Sequence, residues 1–220
     1  VNLLAGMPAI VKPATVSSYL TEVVVKDIIA SGILPEGSLQ LICGSARDLL
    51  NNVTSQDVVT FTGSATTGRM LRANPRMIEE SVPFNMEADS LNCSVLGLDA
   101  KPGTPDFDIF IKEVHREMTA KCGQKCTAIR RLIVPENYLD EVKKALALRL
   151  EKTIIGNPLN EEVRMGALVG RTQLSEVKEK VADLAKLTPI VYGDLNMVNL
   201  VGVDASCGSF MSPILMLNER

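Results

Sequence analysis

Four short apolar runs, residues 8–12, 39–42, 57–61 and 82–86, alternate with segments of helical spacing or with glycine turns. Each run is too short for a stable helix and suits a buried strand. Pro13 closes the first run, and Thr15 or Ser17 then caps a helix that reaches Ser31 and stops at Gly32, with Pro35 just beyond. Short helices follow near 46–51 and 65–73. Strands and helices in strict alternation predict a parallel sheet with flanking helices, an α/β fold.

The remainder continues the mixture. Phe107, Phe110, Ile111, Val114 and Met118 recur at spacings of three and four and predict one face of a helix. Residues 129–134 read as a strand stopped by Pro135, and a helix follows from Tyr138 to Lys152. Gly156-Asn157-Pro158 is a turn that leads into loop up to Gly166. Leu174, Val177, Val181 and Leu184 mark another amphipathic helix, and 189–192 and 210–216 read as strands.

Composition narrows the function. The chain has 220 residues, 46% apolar and 22% charged, with a formal net charge of −3. That balance gives no case for nucleic acid, which calls for clustered excess Lys and Arg, and scarce aromatics offer no base-stacking platform. No apolar run is long enough to span a bilayer, and no charged-then-apolar leader opens the chain. The first residue is Val1 and not methionine, so a piece of a longer protein is expected. Five scattered cysteines, an odd number, favour free thiols in a reducing compartment, hence a cytoplasmic protein. With one histidine and one close cysteine pair, Cys122 and Cys126, no zinc or other metal site is expected.

Three segments bear chemistry. Phe61-Thr62-Gly63-Ser64-Ala65-Thr66-Thr67-Gly68 reads as a glycine turn opening a helix, where backbone N–H groups and the positive helix end can face an anion. Ordinary strand-to-helix turns look the same, and the G-x-G-x-x-G fingerprint is absent. Glu87 closes a strand between Met86 and Ala88, where partial desolvation would suit a general base, although without a partner a salt-bridged or solvated loop acid is the favoured reading. Cys126 follows Gly123-Gln124-Lys125; Lys125 and the loop amides could favour the thiolate, and a buried inert thiol is the competing reading. Cys43, Cys93, Cys122 and Cys207 read as packing residues, and His115 as a surface or rim histidine.

Taken together and in this order, the segments resemble the aldehyde dehydrogenase superfamily. Val11-Lys12-Pro13 is similar to its cofactor-ribose contact, Phe-Thr-Gly-Ser to its phosphate turn, Glu87 to its base and Gly-Gln-Lys-Cys126 to its nucleophile loop. Gly156-Asn157-Pro158 and the stretch from Gly208 to Pro213 resemble further landmarks. Phe84–Cys93 departs from the usual Glu-Leu-Gly-Gly-Lys pattern, and with Lys121–Arg131 it is similar to the dehydrogenase half of the bifunctional phenylacetate-degradation branch.

The resemblance implies a cofactor-binding part over 1–87 and the start of a catalytic, thiol-bearing part over 88–220. It implies catalysis by Cys126 and Glu87, and cofactor contacts at Lys12, Thr15, Gly63, Ser64 and Gly68. The branch implies NADP, with NAD as the other choice, and a CoA-thioester semialdehyde as substrate. Thr15 stands where many relatives carry an acid that would repel a 2′-phosphate, which also points to NADP. A homo-oligomer and a fused hydratase-like domain are implied for the full-length protein. The oxyanion asparagine is expected before Val1 and the nicotinamide-side glutamate after Arg220, so the 220 residues alone are expected to be inactive. A CoA-acylating dehydrogenase and a non-catalytic assembly module are the alternatives.

Overall fold

The computed structural model describes residues 2–218. The chain divides into two compact units at the Asp89–Ser90 boundary.

In the first unit, β1 (Ala9–Val11) leads through a 3-10 turn at Thr15–Ser17 into α1 (Ser18–Ala30). Gly32, at φ 67°, closes α1 in the left-handed conformation that glycine adopts freely. The strand β2 (Leu39–Leu41) then pairs in parallel with β1, Ile10 opposite Gln40. A 3-10 turn at Leu49–Asn52 replaces the short α-helix expected near 46–51. Next come β3 (Val59–Gly63), α2 (Ala65–Arg72), the short α3 (Pro75–Glu79) and β4 (Phe84–Ala88). Strands β3 and β4 run parallel over five residue pairs, from Val59 opposite Phe84 to Gly63 opposite Ala88. Among the described residues the four strands form two separate two-stranded ladders, where the sequence predicts one sheet. The buried large apolar residues here are Val25, Met77 and Val82.

The second unit opens on β5 (Asn92–Val95), a strand the sequence reading missed, followed by α4 (Pro105–Thr119). Thr104 caps α4 by accepting from Phe107 N–H, with Pro105, Asp106 and Asp108 in the first turn. A 3-10 segment at Ala120–Gly123 leads to β6 (Ile129–Ile133), which pairs in parallel with β5. After α5 (Leu139–Glu151) come β7 (Ile155–Gly156), α6 (Arg171–Leu184), β8 (Ile190–Tyr192), β9 (Leu200–Val201) and β10 (Leu215–Met216). Strand β7 pairs in parallel with β9, and β8 antiparallel with β10. Of the predicted strand 210–216, only the last two residues, Leu215–Met216, are strand.

The main core joins Phe107, Ile111 and Val114 of α4 to Val142 and Leu146 of α5 and to Leu96. Each side chain so buried contributes about 1.5–3 kcal/mol, so this helix pair anchors whatever the neighbouring loop carries. A smaller cluster gathers Ile155, Met165 and Phe210, with Cys122 packed against it.

Candidate active site

The register of β3 against β4 brings two of the predicted segments together. Thr62 lies opposite Glu87 and Gly63 opposite Ala88, so the glycine turn and the carboxylate leave adjacent strands at the same end. Ser64 accepts from Thr67 N–H at 3.2 Å and caps α2. Gly68 plays a different part from the anion contact predicted for it. Its N–H is spent on Ser64 O at 2.9 Å, and the residue is buried. A Cβ on Gly68 would overlap Met86 Sδ and lie 3.2 Å from Phe61 Cδ1, so the missing side chain lets α2 lie close against β3 and β4.

The turn fits a diphosphate in its helix start and its Ser64 hydroxyl, with one competitor. Asp89, held at φ 54°, places Oδ1 3.1 Å from Ala65 N at that same helix start. An incoming anion would have to share or displace this carboxylate. Lys12 and Thr15 belong to the same unit, at the end of β1 and in the turn after it, and both are exposed. The Lys12 ammonium donates to Pro13 O at 2.9 Å. Glu87 is exposed as well, so the desolvation expected for it is absent from the described structure.

Cys126 belongs to the second unit, in the loop between α4 and β6, and it is exposed. Lys125 cannot serve as the activating cation that the sequence suggested. Its Nζ lies 2.6 Å from Glu117 Oε1, and both side chains are largely buried, 21% and 16% exposed. Glu117 Oε2 is buried without a hydrogen-bond partner. The loop amides expected to favour the thiolate are partly spent: Gln124 N donates to Lys121 O, Lys125 N to Gly123 O and Ala128 N to Lys125 O.

What the loop has instead is restraint. Lys121, Cys122 and Gly123 form three consecutive left-handed residues at φ 52°, 56° and 67°. A left-handed non-glycine residue costs about 1–2 kcal/mol, so two such residues need tertiary contacts to hold them. Those contacts are present. Cys122 Sγ lies 3.0 Å from Gly166 O and 3.2 Å from Ala167 O. Gln124 Oε1 accepts from Val169 N at 2.9 Å, and Arg130 Nη2 donates to Gly123 O at 2.7 Å. On the other side of Cys126, Asn92 Nδ2 donates to Cys126 O at 2.7 Å and Ala128 O at 3.1 Å. Burial pushes the Cys122 thiol up to about 11, only partly offset by the hydrogen bond to Gly166.

Of the cysteines read as packing residues, Cys122 alone is half-buried; Cys43, Cys93 and Cys207 are exposed, because they lie in loops or on a strand face with no layer over it. His115 is half-buried on α4, its Nε2 2.8 Å from Thr153 Oγ1, and burial lowers its pKa, with Arg149 adding to the shift. No cluster of three or more metal-ligating side chains occurs among the described residues. None of their helices is long and apolar enough to cross a membrane.

Sequence reasoning missed Asn92, Arg130 and Asp89. The signal for Asn92 was faint: one amide heading a short alternating stretch. Asp89 was visible only as the departure from paired glycines after Glu87.

A thiol on a braced loop lies in the second unit, and a carboxylate beside a glycine turn lies in the first. The aldehyde dehydrogenase family model matches residues 1–218, and the chain belongs to that family. It is 44% identical over 218 residues to the 3,4-dehydroadipyl-CoA semialdehyde dehydrogenase of Aromatoleum evansii, covering 99% of this chain and 42% of that enzyme. Its fold matches aldehyde dehydrogenase C of Pseudomonas syringae, solved with NAD+ and octanal, at TM-score 0.81 and 21% identity, over 96% of this chain and 42% of that one. Betaine aldehyde dehydrogenase of Staphylococcus aureus in complex with NAD+ also matches at TM-score 0.81, with 22% identity over 95% and 40% of the two chains. The chain spans about two fifths of the length of these relatives.

Proposed function

We propose that this chain carries the nucleophile and the base of an NADP-dependent dehydrogenase that oxidises a CoA-linked semialdehyde to its carboxylic acid, in phenylacetate-type aromatic catabolism. The observation that carries the reading is the 44% identity, along almost the whole chain, to an enzyme named for a CoA semialdehyde. In this reading the first unit is the cofactor-binding part and the second the thiol part.

Cys126 Sγ adds to the aldehyde carbon, and its backbone N–H helps to hold the oxyanion. A nicotinamide bound at the first unit supplies the hydride acceptor. Lys12 and Thr15 would face its ribose, and Gly63 and Ser64 its diphosphate. Glu87 removes a proton from the water that releases the acyl group from Cys126 as the free acid. The reading requires the Cys126 sulfur and the Glu87 carboxylate to line one cleft.

The test uses the full-length protein with NADP and a CoA-linked semialdehyde. Cys126→Ala is expected to lower NADPH formation at least about a thousandfold. Glu87→Gln should keep a first turnover while later ones slow, and the wild-type product should be free acid. With free CoA added, a new thioester at the oxidised carbon in place of the carboxylate would favour the acylating alternative. Retained turnover in Cys126→Ala, or selective labelling of no cysteine by a thiol reagent, would sink the enzyme reading. Thr15→Glu should cut the NADP-over-NAD preference about tenfold, and an unchanged preference would remove the charge argument. The 220-residue chain by itself should form no NADPH.

A further inference from the structure

We infer that Asn92 is a positioning residue for Cys126, a role that rests on the reading of Cys126 as the nucleophile. Asn92 heads β5, and the pairing with β6 shifts register between Asn92 and Cys93. The side chain is half-buried, and its Nδ2 reaches Cys126 O at 2.7 Å and Ala128 O at 3.1 Å. The reverse amide orientation would set Oδ1 against two carbonyl oxygens, so the donor assignment is forced.

Both hydrogens of one planar NH2 group therefore hold the carbonyls on either side of Thr127. Ala128 is wholly buried, at 0% exposed, so its carbonyl is a fixed point, and the Cys126 carbonyl is tied to it through the same nitrogen. A nucleophile must meet its target within about 3–3.5 Å and in line, so the direction of its Cα–Cβ bond matters more than its exposure. That direction is set by the peptide planes around Cys126. Upstream, Arg130 holds Gly123 O and Gln124 is tied to Val169. Downstream, Asn92 is the side chain that holds the backbone next to the sulfur. An asparagine suits the place because it supplies two donors without adding a charge beside the thiol. The charge of Lys125, next to Cys126, is taken up in its pair with Glu117.

The experiment compares wild type, Asn92→Asp and Asn92→Ala as full-length protein, with Cys126→Ala as the parent control. Asn92→Asp keeps the shape and faces the two carbonyls with a carboxylate. When protonated it regains one donor. Its kcat is expected to fall about 10–100-fold at pH 8 with KM within about threefold, and the deficit should shrink as pH is lowered toward about 5. Asn92→Ala removes both donors without adding charge, and water can reach the carbonyl of exposed Cys126, so it serves if the Asp variant does not fold. It should show the same loss at every pH. Hydrogen exchange over residues 123–128 should quicken at least about tenfold in both variants, while α4 and α5 stay protected. Wild-type kcat in either folded variant, or a rise in KM alone, overturns the positioning role. If Cys126→Ala keeps its activity the underlying reading falls too, whereas an inactive Cys126→Ala beside unaffected Asn92 variants removes this inference only.

Discussion

Cys122 and Cys126 stand four positions apart, yet Cys122 is half-buried and Cys126 exposed. The Cys122 thiol lies against two carbonyl oxygens, and its burial pushes its pKa up to about 11. Its folded-state value therefore lies above the unfolded one. The stabilisation is fully present below about pH 9 and is lost as pH rises from about 9 to about 11. Partial exposure limits the effect to about 1–2 kcal/mol. Urea midpoints at pH 8 and pH 10.5 check this. Wild type should lose more stability across that interval than Cys122→Ser, whose hydroxyl keeps a donor and does not titrate. Equal losses would contradict the account. Neither half of this contrast was legible in the sequence, since the carbonyls of Gly166 and Ala167 come from a distant segment. The letters around Cys126 suggested activation by Lys125, and folding gave that lysine to Glu117 instead.

At the level of the element, local signals were read well and pairings poorly. The glycine turn, α2, α4 and α5 follow from caps, spacing and stop residues that sit within a few positions of one another. Strand β5 escaped because four residues of weak alternation carry little signal, and only β6, thirty-odd residues later, makes it a strand. The same limit hid Asn92, whose two acceptors lie 34 and 36 positions away. Gly156 was read as part of a turn with Asn157 and Pro158, but it lies in β7, paired with Val201 of β9. A Cβ on Gly156 would overlap Val201 O and lie 2.8 Å from Val201 N, backbone atoms that cannot swing aside. Gly156→Ala is expected to destabilise the second unit by about 2–4 kcal/mol, read as a drop in the urea midpoint. A change below about 0.5 kcal/mol would show that the two strands can part at little cost.

For the molecule as a whole, the family was legible because three motifs matched jointly and in order, which no single motif could have secured. Sheet architecture was not, since alternation announces parallel strands without saying how many join. Among the described residues every sheet has only two strands, and apart from β7, which also bridges Met165 through Ile155, each strand is paired along one side. Two-stranded ladders are marginal in water, and unpaired backbone edges are templates for neighbouring chains. The practical result concerns handling: solutions of the 220-residue polypeptide should turn cloudy as they are concentrated, with light scattering that climbs faster than the protein content.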